Sequence, residues 1–173
     1  MMVKRVIVVT IALVISALLQ GSVAVQMAVG PARPDLILIA VVCAGLLTNP
    51  AQGISGGLVG GVLMAVQVGT NYGTFIVTRV VAGWVSGVIG RTLHRESLIT
   101  PLLAIVAATV ATQLLAFVMA PSAPKRWALG SLGELVYNVV LVLPVFLTLQ
   151  RMIRPPRARD PYERRLRRNQ RRR

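Results

Sequence analysis

Apolar residues run along this chain in long blocks, separated by short breaks rich in Gly, Pro and Asn. A membrane-crossing helix needs about 20 mostly apolar residues, and most of the blocks approach that length. The first covers Val6 to Val29, behind Lys4 and Arg5. A basic pair ahead of an apolar run also begins a signal peptide, but this run continues well past a usual signal core and no good A-x-A cleavage site follows, so a retained span is expected. Gly30, Pro31 and Pro34 end it. Pro34-Asp35 reads as a new helix start, since proline suits the first turn and a carboxylate suits its positive end. Further blocks follow from Leu36 to Leu47, Gln52 to Val68, Thr74 to Gly90, Leu98 to Ala120 and Leu132 to Leu149. The breaks between them are Thr48-Asn49-Pro50, Gly69 to Gly73, Arg91 to Ser97 and Pro121 to Gly130.

The expected architecture is therefore all-α: a polytopic membrane bundle of about six transmembrane helices over residues 1–150, with spans near 6–29, 35–48, 52–68, 74–90, 98–120 and 132–150. Residues 151–173 form a basic tail expected to be disordered. The second block is the weak one, because an apolar run that short also suits a re-entrant segment. It is kept as a short span, extended by Asp35 and Thr48, because skipping it would export the tail.

Charge supports that choice. The chain is 55% hydrophobic and 14% charged, against roughly 25% charge in soluble domains. Of its 19 Lys and Arg, 11 lie between Arg151 and Arg173, so the net charge of +14 belongs mostly to the tail and does not point to nucleic acid. With six spans and a cytoplasmic N-terminus, the inner segments hold Lys4, Arg5, Arg91, Arg95 and the tail arginines, while the outer loops hold only Arg33, Lys125 and Arg126. Basic residues mark the cytoplasmic side. Both termini are expected there, with Arg151, Arg154 and Arg157 against anionic lipid. His94, in an inner loop, is expected to be solvated.

Two intramembrane patterns are informative. Gly53, Gly57 and Gly61 recur every four residues, and Gly83 and Gly87 repeat the spacing in the next block. Each set lines one helix flank and permits close backbone approach, which suits bundle packing, a partner interface or a cavity wall. Arg79 sits inside an apolar block, where an arginine costs about 2.5–3.5 kcal/mol on insertion scales. It shares its flank with Gly83 and Gly87, so it is expected to face protein and to pair with Asp35 or Glu134, both of which begin helices at the outer side; snorkelling to headgroups is the plainer alternative.

Catalytic chemistry is poorly supplied. Cys43 and His94 are the only residues of their kinds and acidic residues number five. No phosphate loop, nucleophile elbow or zinc motif occurs. No enzyme activity, metal or cofactor is expected.

The order of features resembles the MreD family, the rod shape-determining membrane proteins of bacteria. Pro34-Asp35-Leu36-Ile37-Leu38-Ile39 looks like that family's start of the second helix. Gly53 to Gly61, with Gly69 and Tyr72-Gly73, is similar to its glycine segment and following turn. Leu135 to Pro144, closed by Arg151, is similar to its final helix. The likeness covers residues 1–154; it departs at Met64-Ala65-Val66-Gln67, where many relatives carry an acid, and in the arginine-rich tail. It implies a fold like the substrate-binding component of energy-coupling-factor transporters, a place in the bacterial cytoplasmic membrane, and a non-enzymatic role in the cell-wall elongation complex beside MreC, MreB, RodA and a penicillin-binding protein.

Two functional expectations follow. One is a membrane scaffold whose glycine faces receive partner helices. The other is a small-molecule carrier, for which Asp35, Arg79, Gln113, Glu134 and Asn138 would supply the polar groups of an outer cavity.

Overall fold

The computed structural model describes residues 2–93, 97–121 and 123–153, with side chains from Arg5 onward. His94, Arg95 and the basic tail, including Arg154 and Arg157, lie outside the described residues. Six helices follow one another: α1 (Met2–Gln26), α2 (Leu36–Leu47), α3 (Pro50–Val68), α4 (Tyr72–Thr92), α5 (Ile99–Met119) and α6 (Pro124–Ile153). Among the described residues there is no strand; Val29 and Ala32 exchange two backbone hydrogen bonds across a tight turn that Gly30 permits by taking φ 58°. Five of the helices are long and apolar enough to cross a membrane. The chain is a multi-pass integral membrane protein.

The second helix departs from the expected row of six spans. It has 12 residues, about 18 Å at 1.5 Å per residue, against a hydrocarbon thickness of about 30 Å. Every residue from Ile37 to Leu47 is buried, and α2 contacts each of the other five helices. A helix apolar on all sides must be surrounded by lipid or by protein; here protein surrounds it. Asp35 and Thr48 cap the helix and do not lengthen it.

Short as it is, α2 reverses the chain. It starts beside Gln20, about three quarters of the way along α1, and ends at Thr48, which shares a small cleft with Arg5 in the first turn of α1 and Gln52 in that of α3. At the other side of the molecule α6 runs antiparallel to α1. The Tyr137 hydroxyl donates to the Met27 carbonyl, while Val8 shares a core with Leu149 and Ile153. The ends of α1 and α6 that carry the termini therefore lie together.

The tightest contact joins α3 and α4. A Cβ added to Gly53 would overlap the backbone of Gly83, and one on Gly83 would overlap Gly53 in return. Gly57 meets the backbone of Arg79, a Cβ on Gly61 would come within 2.6 Å of Ile76 Cα, and one on Gly87 within 2.5 Å of Pro50 Cα. The pairing is antiparallel and in register over three turns. Gly45 of α2 closes on the same place, 2.7 Å from the Gly83 carbonyl by the same measure. Three backbones thus converge where hydrophobic burial gives no drive in lipid and close van der Waals contact must supply it.

Two boundaries are set by local chemistry. Asn49 caps α3 by accepting from the Gln52 N–H at 2.9 Å, with Pro50 at the first position, and Gly69 ends the helix at φ 76°. The sixth helix starts at Pro124, within the stretch Pro121 to Gly130 expected to be a loop, so Lys125 and Arg126 ride on its first turn. At 30 residues it measures about 45 Å, long enough to hold those charges at headgroup level.

Candidate functional site

The start of α2 lies inside the bundle, where its unpaired N–H groups need protein partners. The cap of α2 itself supplies one, and α1 and α6 supply others. Asp35 Oδ1 accepts from the Leu38 N–H at 2.8 Å. Gln20 of α1 accepts from the Leu36 N–H at 2.7 Å, and its own amide donates to the Pro34 carbonyl at 3.0 Å. Asn138 of α6 accepts from the Asp35 N–H at 3.1 Å and donates to Thr109 of α5 at 3.2 Å.

Arg79 reaches the same point from α4. Its Nη2 donates to the second carboxylate oxygen of Asp35, forming an ion pair in which each side chain is 7% exposed. Its Nη1 meets the Thr78 hydroxyl at 3.3 Å, and the ring of Phe75 lies 5.9 Å from the guanidinium carbon. Nε has no hydrogen-bond partner although it is fully buried. The glycine contact makes this reach possible, since Gly57 lets the backbone at Arg79 press against α3.

Beside the pair opens a cavity of about 320 Å³. Gln20, Asp35, Thr78, Arg79, Thr112, Gln113 and Glu134 supply its polar wall, and Met64, Val68, Phe75 and Ala116 its apolar one. Arg33, exposed, stands at the rim. Glu134 does not pair with Arg79. Its Oε2 accepts from the Gln113 amide at 2.5 Å, and Gln113 accepts in turn from the Ser131 hydroxyl at 3.1 Å. The cavity thus holds a neutralised ion pair and a carboxylate whose direct side-chain partner is neutral, at the end of the bundle remote from the termini.

The sequence-derived residues divide as follows. Asp35, Arg79, Gln113 and Glu134 line the cavity, and Asn138 braces its floor. Gly53, Gly57, Gly61, Gly83 and Gly87 are buried between α3 and its neighbours, so they present no free face. Arg151 is exposed in the last turn of α6. Gln20, Thr78 and Thr112 were not anticipated. Gln20 carried a readable signal, as a polar side chain inside an apolar block, whereas threonines pass unnoticed because their hydroxyls can satisfy themselves on their own helix. Thr78 does this, donating to the Thr74 carbonyl at 2.8 Å.

Among known families, the model 5TM-5TMR_LYT, described as the 5TMR of 5TMR-LYT, fits residues 2–153. No curated protein and no solved structure matches significantly. The match overturns the resemblance to MreD and to energy-coupling-factor components, because the family is a five-transmembrane one and neither of those. The misleading likeness has a physical source. Lipid selects the same apolar residues in unrelated bundles, and helix breaks and close packing select Pro-Asp starts and Gly-x-x-x-Gly rows in all of them. MreC, MreB, RodA and the penicillin-binding protein were implied by that resemblance alone, and nothing else supports them as partners.

Proposed function

Since the chain belongs to the five-transmembrane 5TM-5TMR_LYT family, we propose that it is a non-enzymatic membrane protein that binds a small polar solute in the cavity beside Arg79 and Asp35. One observation carries this reading: five helices bring polar side chains to a cavity of about 320 Å³ inside an otherwise apolar bundle. Intramembrane ionisable residues are costly to insert and mark solute or ion sites in membrane proteins. A cavity near the lower end of the usual ligand range, with an apolar wall and a few convergent polar groups, suits a metabolite rather than a macromolecule.

Loop charge favours an orientation with both termini in the cytoplasm, so the cavity opens toward the opposite face. The glycine rows, which would have suited a scaffold, are occupied by the chain's own helices.

The reading is tested on the intact protein purified in mild detergent. Native mass spectrometry is expected to find a bound small molecule, or a metabolite screen to find one that raises the unfolding temperature; a ligand at 100 times its Kd adds about 2.7 kcal/mol. A protein that carries no small molecule, responds to none, and instead co-purifies in fixed ratio with another membrane protein would contradict it.

A further inference from the structure

The hydrogen-bonding state of the cavity wall narrows the class of solute, on the premise that the cavity binds one. Arg79 has five N–H donors in a planar fork. Asp35 and Thr78 take one hydrogen bond each, and Nε–H is left without an acceptor in a side chain only 7% exposed. Buried polar groups in folded proteins are almost always satisfied, and an exception calls for an absent partner. Asp35 makes no hydrogen bond to Nε, and both of its oxygens are already engaged. One of its oxygens holds the Leu38 N–H and the other holds Arg79. Nε is sealed from the cavity, so a solute meets Arg79 through the second N–H of Nη1 or Nη2, and the wall lacks an acceptor on that side among the described residues.

The opposite side has the reverse need. Glu134 receives a hydrogen bond from a neutral amide, Gln113, and no ion pair joins it among the described residues. The nearest cation, Arg79, is already bound to Asp35, so the two together present Glu134 with little net charge. A carboxylate in low-dielectric surroundings is best held by a cationic donor.

We propose that the solute is amphoteric: an amino-acid-like molecule whose carboxylate faces the guanidinium of Arg79 and whose ammonium group faces Glu134. Both unmet needs are then filled by one compact molecule. The apolar wall of Met64, Val68 and Phe75 takes an uncharged side group. A simple carboxylic acid would answer Arg79 and leave Glu134 beside a second negative charge. A simple amine would answer Glu134 and leave the Arg79 donor unmet. Water would satisfy the hydrogen bonds but not the charge on Glu134.

The test uses the full chain in phosphatidylcholine nanodiscs, with binding followed by calorimetry. The twenty standard amino acids are screened first. The best binder with an apolar side chain is then compared with its two truncated forms; for leucine these are 4-methylpentanoate and 3-methylbutylamine. The zwitterion is expected to bind at least about tenfold more tightly than either truncated form, since each loses a charge-assisted hydrogen bond. Glu134→Gln keeps the shape and the Gln113 contact region, and is expected to abolish the preference for leucine over 4-methylpentanoate. If Glu134→Gln fails to fold, the unmodified protein decides: weaker binding of both 4-methylpentanoate and 3-methylbutylamine than of leucine supports the amphoteric class, and equal binding of either overturns it. Equal or tighter binding of the bare acid or the bare amine would overturn the amphoteric class while leaving a solute-binding cavity intact. Binding by none of the twenty amino acids would overturn it as well; only a protein that also purifies empty and responds to no metabolite would bring down the broader reading.

Discussion

Arg79 and Asp35 show what one buried ion pair demands of its surroundings. Each side chain is only 7% exposed; Asp35 is also held by the Leu38 N–H and by Asn138 of α6, and Arg79 by Thr78 of its own helix. Removing one partner from a buried pair leaves an uncompensated charge, which costs about 3–5 kcal/mol, whereas replacing both with neutral groups of similar shape costs far less. Arg79→Gln is therefore expected to lower stability by roughly that amount in detergent unfolding experiments, and the double variant Arg79→Gln, Asp35→Asn to recover most of the loss. Equal losses in the single and double variants would mean that the pair is not coupled. At this scale much of the site was legible. A lone arginine and a lone aspartate in apolar blocks announce themselves, because lipid tolerates so few. Glu134 was found for the same reason, but not its true partner. Nothing in the spacing says that Arg79 pairs with Asp35 and not Glu134, or that Glu134 is held by Gln113, which accepts in turn from Ser131.

Helices were legible as blocks but not in their environment. The apolar run Leu36–Leu47 coincides with α2, yet hydropathy is the same for a helix bathed in lipid and one wrapped in protein, and the charge rule that kept this block as a short span says nothing of which surrounds it. The start of α6 was missed for the opposite reason: Lys125 and Arg126 read as loop, although long basic side chains on a helix reach headgroups readily. The glycine spacing was plain, but only the structure shows that both rows meet each other. Gly53→Ala would push a methyl group into the backbone of α4. It is expected to destabilise the bundle by about 1–3 kcal/mol, as overpacking does. Gly21→Ala, with nothing within 4 Å of the added carbon, is expected to be neutral or mildly stabilising, as glycine is a poor helix residue. Similar unfolding temperatures for the two variants would contradict the α3–α4 contact.

For the whole molecule, the short central helix decides the topology. Five long helices alone would put the two chain ends on opposite sides of a membrane. Because α2 runs back from Gln20 to the level of Arg5, sheltered among the five long helices, the ends of α1 and α6 that carry the termini return to the same side of the bundle. The cavity mouth then lies on the other side, which in the proposed orientation faces away from the cytoplasm. Loop charge alone pointed the same way, but it could not say how 12 residues make the passage; burial by the other five helices answers that, since α2 need not match the thickness of the bilayer. The most direct measurement is cysteine accessibility in intact cells, in a Cys43→Ser background, with a membrane-impermeant maleimide applied from outside to single-cysteine variants at Arg33 and Arg151. We predict labelling of Arg33→Cys in intact cells, and of Arg151→Cys only after the membrane is opened; labelling of both positions from the same side would contradict the account.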